Sequence, residues 1–412
     1  MNEMGDKANT MSGLGDSPQQ TLVIAGLLYS FSLILINIAP FFVGMYVDHF
    51  QVSLSAAGVV QTVDQAGGLL GAAVGFVLMP RFGWKGLVLI ALLIAAVSNA
   101  FTATADSYAV LCAVRFLAGF GAMLSTTVTA CVLAQATVPL RAYSAGLAAG
   151  MLLSAAAVWL LDALRIAYGD AIALGSGALW LGFGGLLALF LPRQLSGPVN
   201  PHGEAVTPRA PHCPQTVGKT ALIALLLFSV SINVIYVFIE HFGFANGLAR
   251  GDATNALALG FLFAAAGSLI PTMFGVAGGH LKWISMTTLI FFGSLVGIYS
   301  AQTTVLFALA FGVCASAWCM GLAYYMSLIA QNDPERRYTR MIYIVNAAAQ
   351  SIGPAIGVLA LSRATPPAVF AVPPVPALLA VLLVAIALST SSFLPLRVHP
   401  RPQEDLYPWP LP

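Results

Sequence analysis

The sequence has very few charged residues. Only 8% of its 412 residues are Asp, Glu, Lys or Arg, whereas 59% are hydrophobic, and a soluble protein usually carries about 25% charged residues. This composition excludes a soluble enzyme and a disordered scaffold. A formal net charge of +2 provides no basic patch, which also excludes a nucleic-acid binder. The composition therefore indicates a polytopic membrane protein.

Cysteines and catalytic motifs are also scarce. The five cysteines are an odd number and four of them lie in apolar runs, so no disulfide framework is indicated. Cys314 and Cys319 have no further Cys or His nearby to complete a metal site. Segment 218–220 (GKT) ends like a phosphate-binding loop, but Cys213 stands where that loop requires its first glycine. We therefore expect a protein that is not an enzyme and that uses no metal or cofactor.

Long apolar runs follow one another along the chain. Each is about 20 residues long, the length that a helix needs to cross a bilayer core about 30 Å thick. The runs lack the alternation of a β-barrel, so we expect helices. The twelve predicted spans lie near 22–46, 54–79, 86–104, 107–132, 142–163, 171–192, 220–242, 253–277, 284–300, 303–329, 340–361 and 371–395. The sequence thus predicts an all-α membrane protein with twelve transmembrane helices.

The distribution of basic residues predicts the orientation of these spans. With the N-terminus inside, thirteen of the 17 Lys and Arg residues lie on the cytoplasmic side, and three, Arg165, Arg250 and Arg363, lie on the outer side. Both termini are then cytoplasmic. Residues 1–20 lack the apolar core and cleavage site of a signal peptide. Short loops without a cysteine-rich outer surface favour a bacterial inner membrane.

A long polar, proline-rich break divides the chain into two halves. Segment 134–141 (AQATVPLR) follows the fourth span, and the similar segment 330–336 (AQNDPER) follows the tenth. Two six-helix repeats fit the parallel-repeat plan of many secondary transporters. The predicted organisation is a disordered cytoplasmic segment 1–20, a six-helix bundle 21–192, a cytoplasmic linker 193–219, a second six-helix bundle 220–396 and a proline-rich cytoplasmic tail 397–412.

A motif in the fourth span carries a family resemblance. The run Arg115-Phe-Leu-Ala-Gly119-Phe-Gly121 reproduces the RxxxGxG motif of the major facilitator superfamily in the expected helix. The chain resembles that family over about residues 20–396. The resemblance implies two pseudo-symmetric six-helix bundles, in which spans 1, 4, 7 and 10 line a central cavity and spans 2, 5, 8 and 11 form a moving interface.

A second motif lies in the loop between spans 2 and 3. Its residues Arg81, Gly83 and Lys85 resemble the family's DRxGR(R/K) signature. Pro80 stands where that signature has Asp, and Trp84 stands where it has a basic residue. These two departures put in doubt the gating charge network that the signature normally supplies.

The glycine pattern bears on the direction of transport and on helix packing. Span 5 lacks the Gly-Pro pair of the drug/proton antiporter motif, and a Gly353-Pro354-Ala-Ile-Gly357 element occurs in span 11 instead. Small residues at this spacing, also present at 67, 71 and 75, let helices approach closely. They serve either a moving interface or ordinary tight packing.

Two ionisable residues lie deep in the predicted bilayer. Asp64 and Arg115 are each about 12–15 Å from the outer end of their spans, as judged from the 1.5 Å rise per residue. A shared depth in one half suggests an ion pair. Because a buried charge needs a partner or a function, we keep two interpretations open: a proton carrier and a fixed structural pair.

Other ionisable residues lie at the predicted outer ends of spans. Glu240 and His241 end span 7, where we favour interfacial positions over a coupling role while keeping both residues as proton-coupling candidates. For the residues at 48 and 49 (DH), at the outer end of span 1, we likewise favour interfacial positions. The i, i+3 spacing of Asp162 and Arg165 predicts a local ion pair.

Uncharged polar and aromatic residues lie on the predicted cavity spans and on spans 2 and 11. The candidates for contact with a solute are Tyr29, Ser32, Asn37, Gln61, Asn233, Tyr236, Trp318, Tyr324, Asn346 and Gln350. Amides and hydroxyls orient a polar solute, and aromatic rings stack against it. Each residue taken alone is more often a helix-to-helix contact.

Together these features predict a secondary active transporter that moves a small organic solute by alternating access. Proton-coupled uptake is favoured because the antiporter motif is incomplete. Proton-driven efflux of a drug or metabolite remains an alternative, as does a transporter-like sensor without net flux. The expected partners are the small-molecule substrate, protons and the lipid bilayer, with no nucleic acid, and we expect a monomer.

Overall fold

The computed structural model describes residues 18–79, 81–136, 138–191, 215–333, 337–363 and 369–392. Most of these residues are helical and none of them forms a strand. The helices are α1 Pro18–Asn37, α2 Ala39–Phe50, α3 Leu54–Leu78, α4 Trp84–Thr102, α5 Tyr108–Leu133, α6 Pro139–Tyr168, α7 Asp170–Ala188, α8 Gln215–Tyr236, α9 Ile239–Ala245, α10 Arg250–Ser268, α11 Ile270–Phe274, α12 His280–Ser300, α13 Thr304–Gln331, α14 Arg337–Arg363 and α15 Pro374–Ser392. The all-α prediction is confirmed.

Three of the predicted spans consist of two helices each. Pro40 lies in the first turn of α2 and Pro271 in that of α11, and proline starts a helix readily because it has no backbone N–H to leave unpaired. The break between α8 and α9 at residues 237–238 has no proline. Grouped across these breaks, the described helices follow the twelve predicted spans in order.

Most of these segments suit a membrane by length and composition. Ten described stretches are long and apolar enough to cross a bilayer, and a shorter apolar helix covers Pro374–Thr390. The 25-residue α3 is long enough but carries Gln61, Asp64 and Gln65. The predicted N-terminal segment up to residue 17, the linker from 192 to 214 and the tail lie outside the described residues, so the predicted division into two domains stays a prediction.

Glycines determine how closely the helices of the first bundle pack. A Cβ at Gly67 or Gly71 of α3 would overlap a backbone carbonyl of α5, and one at Gly119 of α5 would overlap the Asp64 carbonyl. A Cβ at Gly121 would overlap the Ala91 carbonyl of α4. The RxxxGxG glycines therefore let α5 touch α3 on one side and α4 on the other.

The second bundle uses glycine in the same way. A Cβ at Gly353 of α14 would lie 2.5 Å from Asn233 Cβ of α8, and one at Gly357 would overlap the Val234 carbonyl. These glycines face helices of their own half, as do Gly67 and Gly71. The glycine runs of α3 and α14 thus serve tight packing within each half.

The two halves meet mainly through α3 against α14 and α6 against α10. These are the predicted spans 2, 11, 5 and 8, the set that the family resemblance places at the interface. Gly58 of α3 faces across to α14, since its Cβ would lie 2.8 Å from Val358. At the predicted outer ends, α2 packs against α9, which joins spans 1 and 7.

Candidate functional site

Asp64 and Arg115 form a buried ion pair in the first half. Each is only 3% exposed, and Arg115 Nη2 donates to Asp64 Oδ2. Arg115 Nη1 donates to Asn99 Oδ1 at 2.7 Å. The guanidinium carbon lies 5.4 Å from the Phe42 ring centroid and 5.9 Å from that of Tyr46. Side chains of α2, α3 and α4 thus surround this arginine of α5.

This arrangement favours a fixed structural pair. Arg115 and its partners Asp64 and Asn99 all belong to the first half, so a movement between the halves carries them together. Protonation of Asp64 would leave the Arg115 charge buried without its carboxylate, which is strongly unfavourable. The sequence suggested the pair, but it gave no indication of Asn99 as the third member.

Glu240 is another buried carboxyl group, and its surroundings differ from those of Asp64. It is 3% exposed on α9. Its Oε1 accepts a hydrogen bond from Thr254 Oγ1 at 3.2 Å, and its Oε2 has no hydrogen-bond partner. Gly44 of α2 makes room for it, because a Cβ there would overlap Glu240 Oε2. His241, the other predicted coupling residue of this helix, is exposed.

An ion pair joins the halves beside Glu240. Arg250 of α10 donates from both Nη atoms to the two Asp48 oxygens of α2, at 2.6 Å for Nη2 to Oδ1. The Arg250 side chain is 47% exposed. We predicted an interfacial position for Asp48 but not its contact with Arg250, because the two residues lie 202 positions apart in the sequence. Asp162 and Arg165 form the predicted local pair at 2.6 Å.

A small cavity of about 140 Å³ lies at this outer contact. Its lining residues come from α2, α9 and the adjoining chain: Pro40, Val43, Gly44, Val47, Asp48, Leu54, Val237, Glu240, His241, Phe244 and Arg250. Apolar side chains share this lining with Asp48, His241 and Arg250. The one direct hydrogen bond to the Glu240 carboxyl comes from Thr254 Oγ1.

Six uncharged polar atoms on α8, α13 and α14 form a set that we call the polar cluster. They are buried side-chain atoms without a hydrogen-bond partner: Ser229 Oγ, Trp318 Nε1, Tyr324 Oη, Tyr325 Oη, Asn346 Oδ1 and Gln350 Oε1. The Gly353–Asn233 contact fixes the register of α14 against α8. Because Gln350 and Ser229 each lie one helical turn before that contact, they lie at the same level of the bundle.

Aromatic rings border this polar cluster. The Tyr236 ring centroid is 5.2 Å from that of Trp318, and Tyr236 Oη donates to the Asn37 carbonyl of α1 at 2.5 Å. Tyr324 stacks on Trp283 with centroids 5.4 Å apart. Tyr236 therefore bridges the two halves at the predicted cavity helices.

Several other predicted cavity residues already have partners inside the protein. Tyr29 Oη accepts from Tyr343 Oη at 2.8 Å, and Ser32 Oγ contacts Ser125 Oγ at 2.7 Å. Asn37 Nδ2 donates to Ser154 Oγ at 3.2 Å. Asn233 Nδ2 donates to the Ser229 carbonyl at 2.8 Å. Gln61 is buried on α3. The structure thus separates the predicted set into paired residues and residues with an unpaired atom.

A larger cavity, of about 300 Å³, lies between the halves at the predicted cytoplasmic ends. Its lining residues are Met79, Ala130, Cys131, Ala134, Gln135, Tyr143, Thr339, Arg340 and Tyr343. Tyr343 is not among the residues predicted from the sequence. Its signal was available, because Tyr343 precedes Asn346 by three residues and so lies on the same face of α14.

The loop motif between α3 and α4 holds the end of α7. Lys85 Nζ donates to the Leu189 and Leu191 carbonyls, at 2.6 and 2.8 Å, just beyond the end of α7. Gly83 has a φ of +51°, a conformation that favours glycine. Arg81 is exposed. Pro354 lies inside α14 between the two glycines that face α8.

Comparison with known proteins agrees with this architecture. The family model of the Major Facilitator Superfamily matches residues 22–358. No curated protein matches the sequence.

Three solved structures illustrate the likeness. The human organic anion transporter MFSD10 (TETRAN) is 16% identical, with a TM-score of 0.62 over 89% of this chain and 99% of the other. The proton:xylose symporter XylE, bound to 6-bromo-6-deoxy-D-glucose, is 13% identical, with a TM-score of 0.64 over 90% and 94%. The transporter FucP in its outward conformation is 13% identical, with a TM-score of 0.62 over 89% and 98%. At these identities the likeness concerns the fold.

Proposed function

Because the chain belongs to the Major Facilitator Superfamily, we propose that it takes up a small, predominantly uncharged polar organic solute by alternating access, driven by a proton gradient. Secondary transport follows from the family. The solute class, the uptake direction and the proton coupling are the proposal, together with a bacterial inner-membrane location and action as a monomer.

The observation that carries the proposal is the cluster of unpaired polar atoms on α8, α13 and α14. A buried polar atom without a partner destabilises a protein by about 1–3 kcal/mol. The cluster includes Trp318 Nε1 as a donor and the Asn346 and Gln350 side-chain oxygens as acceptors. A solute with hydroxyl or amide groups would satisfy both kinds of atom, and the neighbouring rings would pack against its apolar face.

The charge of the cluster supports an uncharged solute. Arg115, the deep cation of the first half, is already paired with Asp64. Two of the similar structures differ on this point, since one belongs to an organic anion transporter and one to a proton:xylose symporter. The side chains that carry the unpaired atoms are neutral. They therefore suit a sugar-like or amide-bearing solute better than an anion.

Uptake is favoured over efflux because span 5 lacks the Gly-Pro pair of the antiporter motif. In symport, solute and proton enter together from the outer side. Among the buried carboxyl groups of the described residues, Asp64 is paired with Arg115 and Asp333 accepts three hydrogen bonds. Glu240, which has an unpaired oxygen, is therefore the candidate proton site. Efflux and sensing without flux are the competing outcomes of the experiment below.

The test is solute-dependent proton flux in proteoliposomes that contain a pH-sensitive dye. Pools of sugars, polyols, amides and organic anions are added under an imposed pH gradient. Wild type should acidify the lumen when a neutral polar solute is added outside, and a variant with Asn346→Leu and Gln350→Leu should lose this response. Gln302→Leu, at an exposed position, is the matched control.

Other outcomes would change the proposal. Proton flux opposite to solute flux would replace uptake with efflux. Solute binding without flux would favour the sensor, and a response to anions alone would overturn the neutral-solute class.

A further inference from the structure

Glu240 lies at a contact that alternating access must open. Its helix α9 continues span 7 in the second half, and α2, which packs against it, continues span 1 in the first half. The Glu240 carboxyl fills the space left by Gly44. An outward opening therefore separates Glu240 from Gly44 and lets outer water reach the carboxyl group.

The charges near Glu240 already have partners. Arg250 is bound by both oxygens of Asp48, and Arg165 of α6 is bound by Asp162. His241, on the same short helix, is exposed. Helix α12 also packs against α9, and its Tyr299 lies against Phe370.

The closed contact therefore leaves Glu240 without an ion partner. A carboxylate in such a place has one neutral donor, Thr254 Oγ1, and one unpaired oxygen. Burial of an uncompensated charge is costly, whereas a protonated carboxyl needs no counter-ion. The closed geometry fits the neutral acid.

Asp64 provides the contrast. Its partners Arg115 and Asn99 belong to the same half, and an opening between the halves does not part them. The surroundings of Asp64 thus stay the same through the transport cycle, while those of Glu240 change between water and a closed apolar contact.

We propose that Glu240 is a proton-binding site and that its protonation from the outer side permits the α2–α9 contact to close. The inference rests on the proposed proton-driven uptake. In the open state a hydronium ion of the outer solution transfers its proton to the Glu240 carboxylate and becomes water. The resulting neutral carboxyl is buried against Gly44 as the halves approach. A deprotonated Glu240 holds the outer side open.

The test measures the outer opening without any solute. Spin labels are attached to cysteines introduced at Ser55 and Gly251, both exposed, in a background in which the five native cysteines are replaced by alanine. The distance between the labels is measured by double electron–electron resonance in lipid nanodiscs. Raising the pH from about 5.5 to about 9.5 should increase the long-distance population at least about threefold.

Glu240→Gln should hold the short distance at every pH, because the amide imitates the neutral acid. Glu240→Met is a second neutral variant with the same expected result. Asp252→Asn removes an exposed carboxylate in the first turn of α10 and should leave the pH response unchanged. A wild-type distance that does not depend on pH, or a pH response that survives in both neutral variants, would overturn the proposal.

The two proposals fail in different ways. Solute-dependent proton flux with an unaltered pH response in Glu240→Gln would keep the proposed transport and reject the Glu240 site. A pH response that depends on Glu240, combined with no flux for any solute pool, would keep the site and reject the proposed transport.

Discussion

The two halves of the molecule treat buried polar groups in different ways. In the first half the deep cluster is charged and bonded from side chain to side chain, through Asp64, Arg115 and Asn99. In the second half the cluster is uncharged, and atoms such as Asn346 Oδ1 and Gln350 Oε1 have no partner. The first half has unpaired atoms as well, on Tyr46, Trp84, Thr127 and Ser144 and at Arg115 Nε, although both Nη atoms of Arg115 are bonded.

This difference indicates which half contains ligand contacts. Groups that bind each other have a reason to be buried without any ligand. Groups that are buried without partners are unfavourable until something else supplies the hydrogen bonds. The comparison therefore supports our proposal that the charged cluster is structural and that the neutral one contacts the solute. Four sets of substitutions test this comparison.

The largest effect should come from breaking the charged cluster on one side. Arg115→Met leaves the Asp64 carboxylate buried alone, and we expect a loss of about 3–5 kcal/mol of stability. Thermal unfolding in detergent measures it. Adding Asp64→Asn removes the orphaned charge and should recover most of the loss. A double variant as unstable as the single one would contradict a purely structural pair.

A smaller loss of stability is expected when the helix contact that positions this cluster is disturbed. Gly119→Ala places a Cβ into the Asp64 carbonyl and must push α3 from α5, at about 2–3 kcal/mol. The same unfolding measurement applies. Gly86→Ala, where nothing lies within 4 Å of the added Cβ, is the matched control and should unfold like wild type.

The neutral cluster should respond in function rather than in stability. Asn346→Leu with Gln350→Leu removes two unpaired acceptors, so we expect stability to change by less than about 1 kcal/mol or to rise. Solute uptake should fall at least about tenfold, which corresponds to about 1.4 kcal/mol. Uptake kinetics and unfolding are measured on one preparation. A large loss of stability with normal uptake would make this cluster structural.

The smallest effect on stability is expected at the outer ion pair. Asp48→Asn removes a partner of the half-exposed Arg250, and exposed pairs contribute about 0–1 kcal/mol. The unfolding temperature should hardly move. The outer distance between labels at positions 55 and 251 should lengthen at fixed pH, because one link between the halves is lost. A shorter distance would contradict the closing role of this pair.

Much of the fold was predictable because bilayer length and apolarity determine a helix almost by themselves. The helix breaks at Pro40 and Pro271 had a sequence signal, since proline has no N–H to donate. The break at residues 237–238 had none. The family motif indicated Arg115, and its depth indicated Asp64 as a partner.

The rest of the site depended on contacts between distant segments. Arg250 and Asp48 lie 202 residues apart, and no local pattern joins them. Asn37 and Asn346 look alike in the sequence, but Ser154 satisfies the amide nitrogen of Asn37, whereas Asn346 Oδ1 stays unpaired. Pairing of this kind depends on helix rotation to within a fraction of a turn, which apolar periodicity does not specify.

The most direct test of the account compares solute uptake by two double variants in proteoliposomes, normalised to the amount of inserted protein. The Asp64→Asn/Arg115→Met variant should keep uptake within about threefold of wild type, a difference below 1 kcal/mol. The Asn346→Leu/Gln350→Leu variant should lose it. Loss of uptake in the first variant and normal uptake in the second would contradict the account.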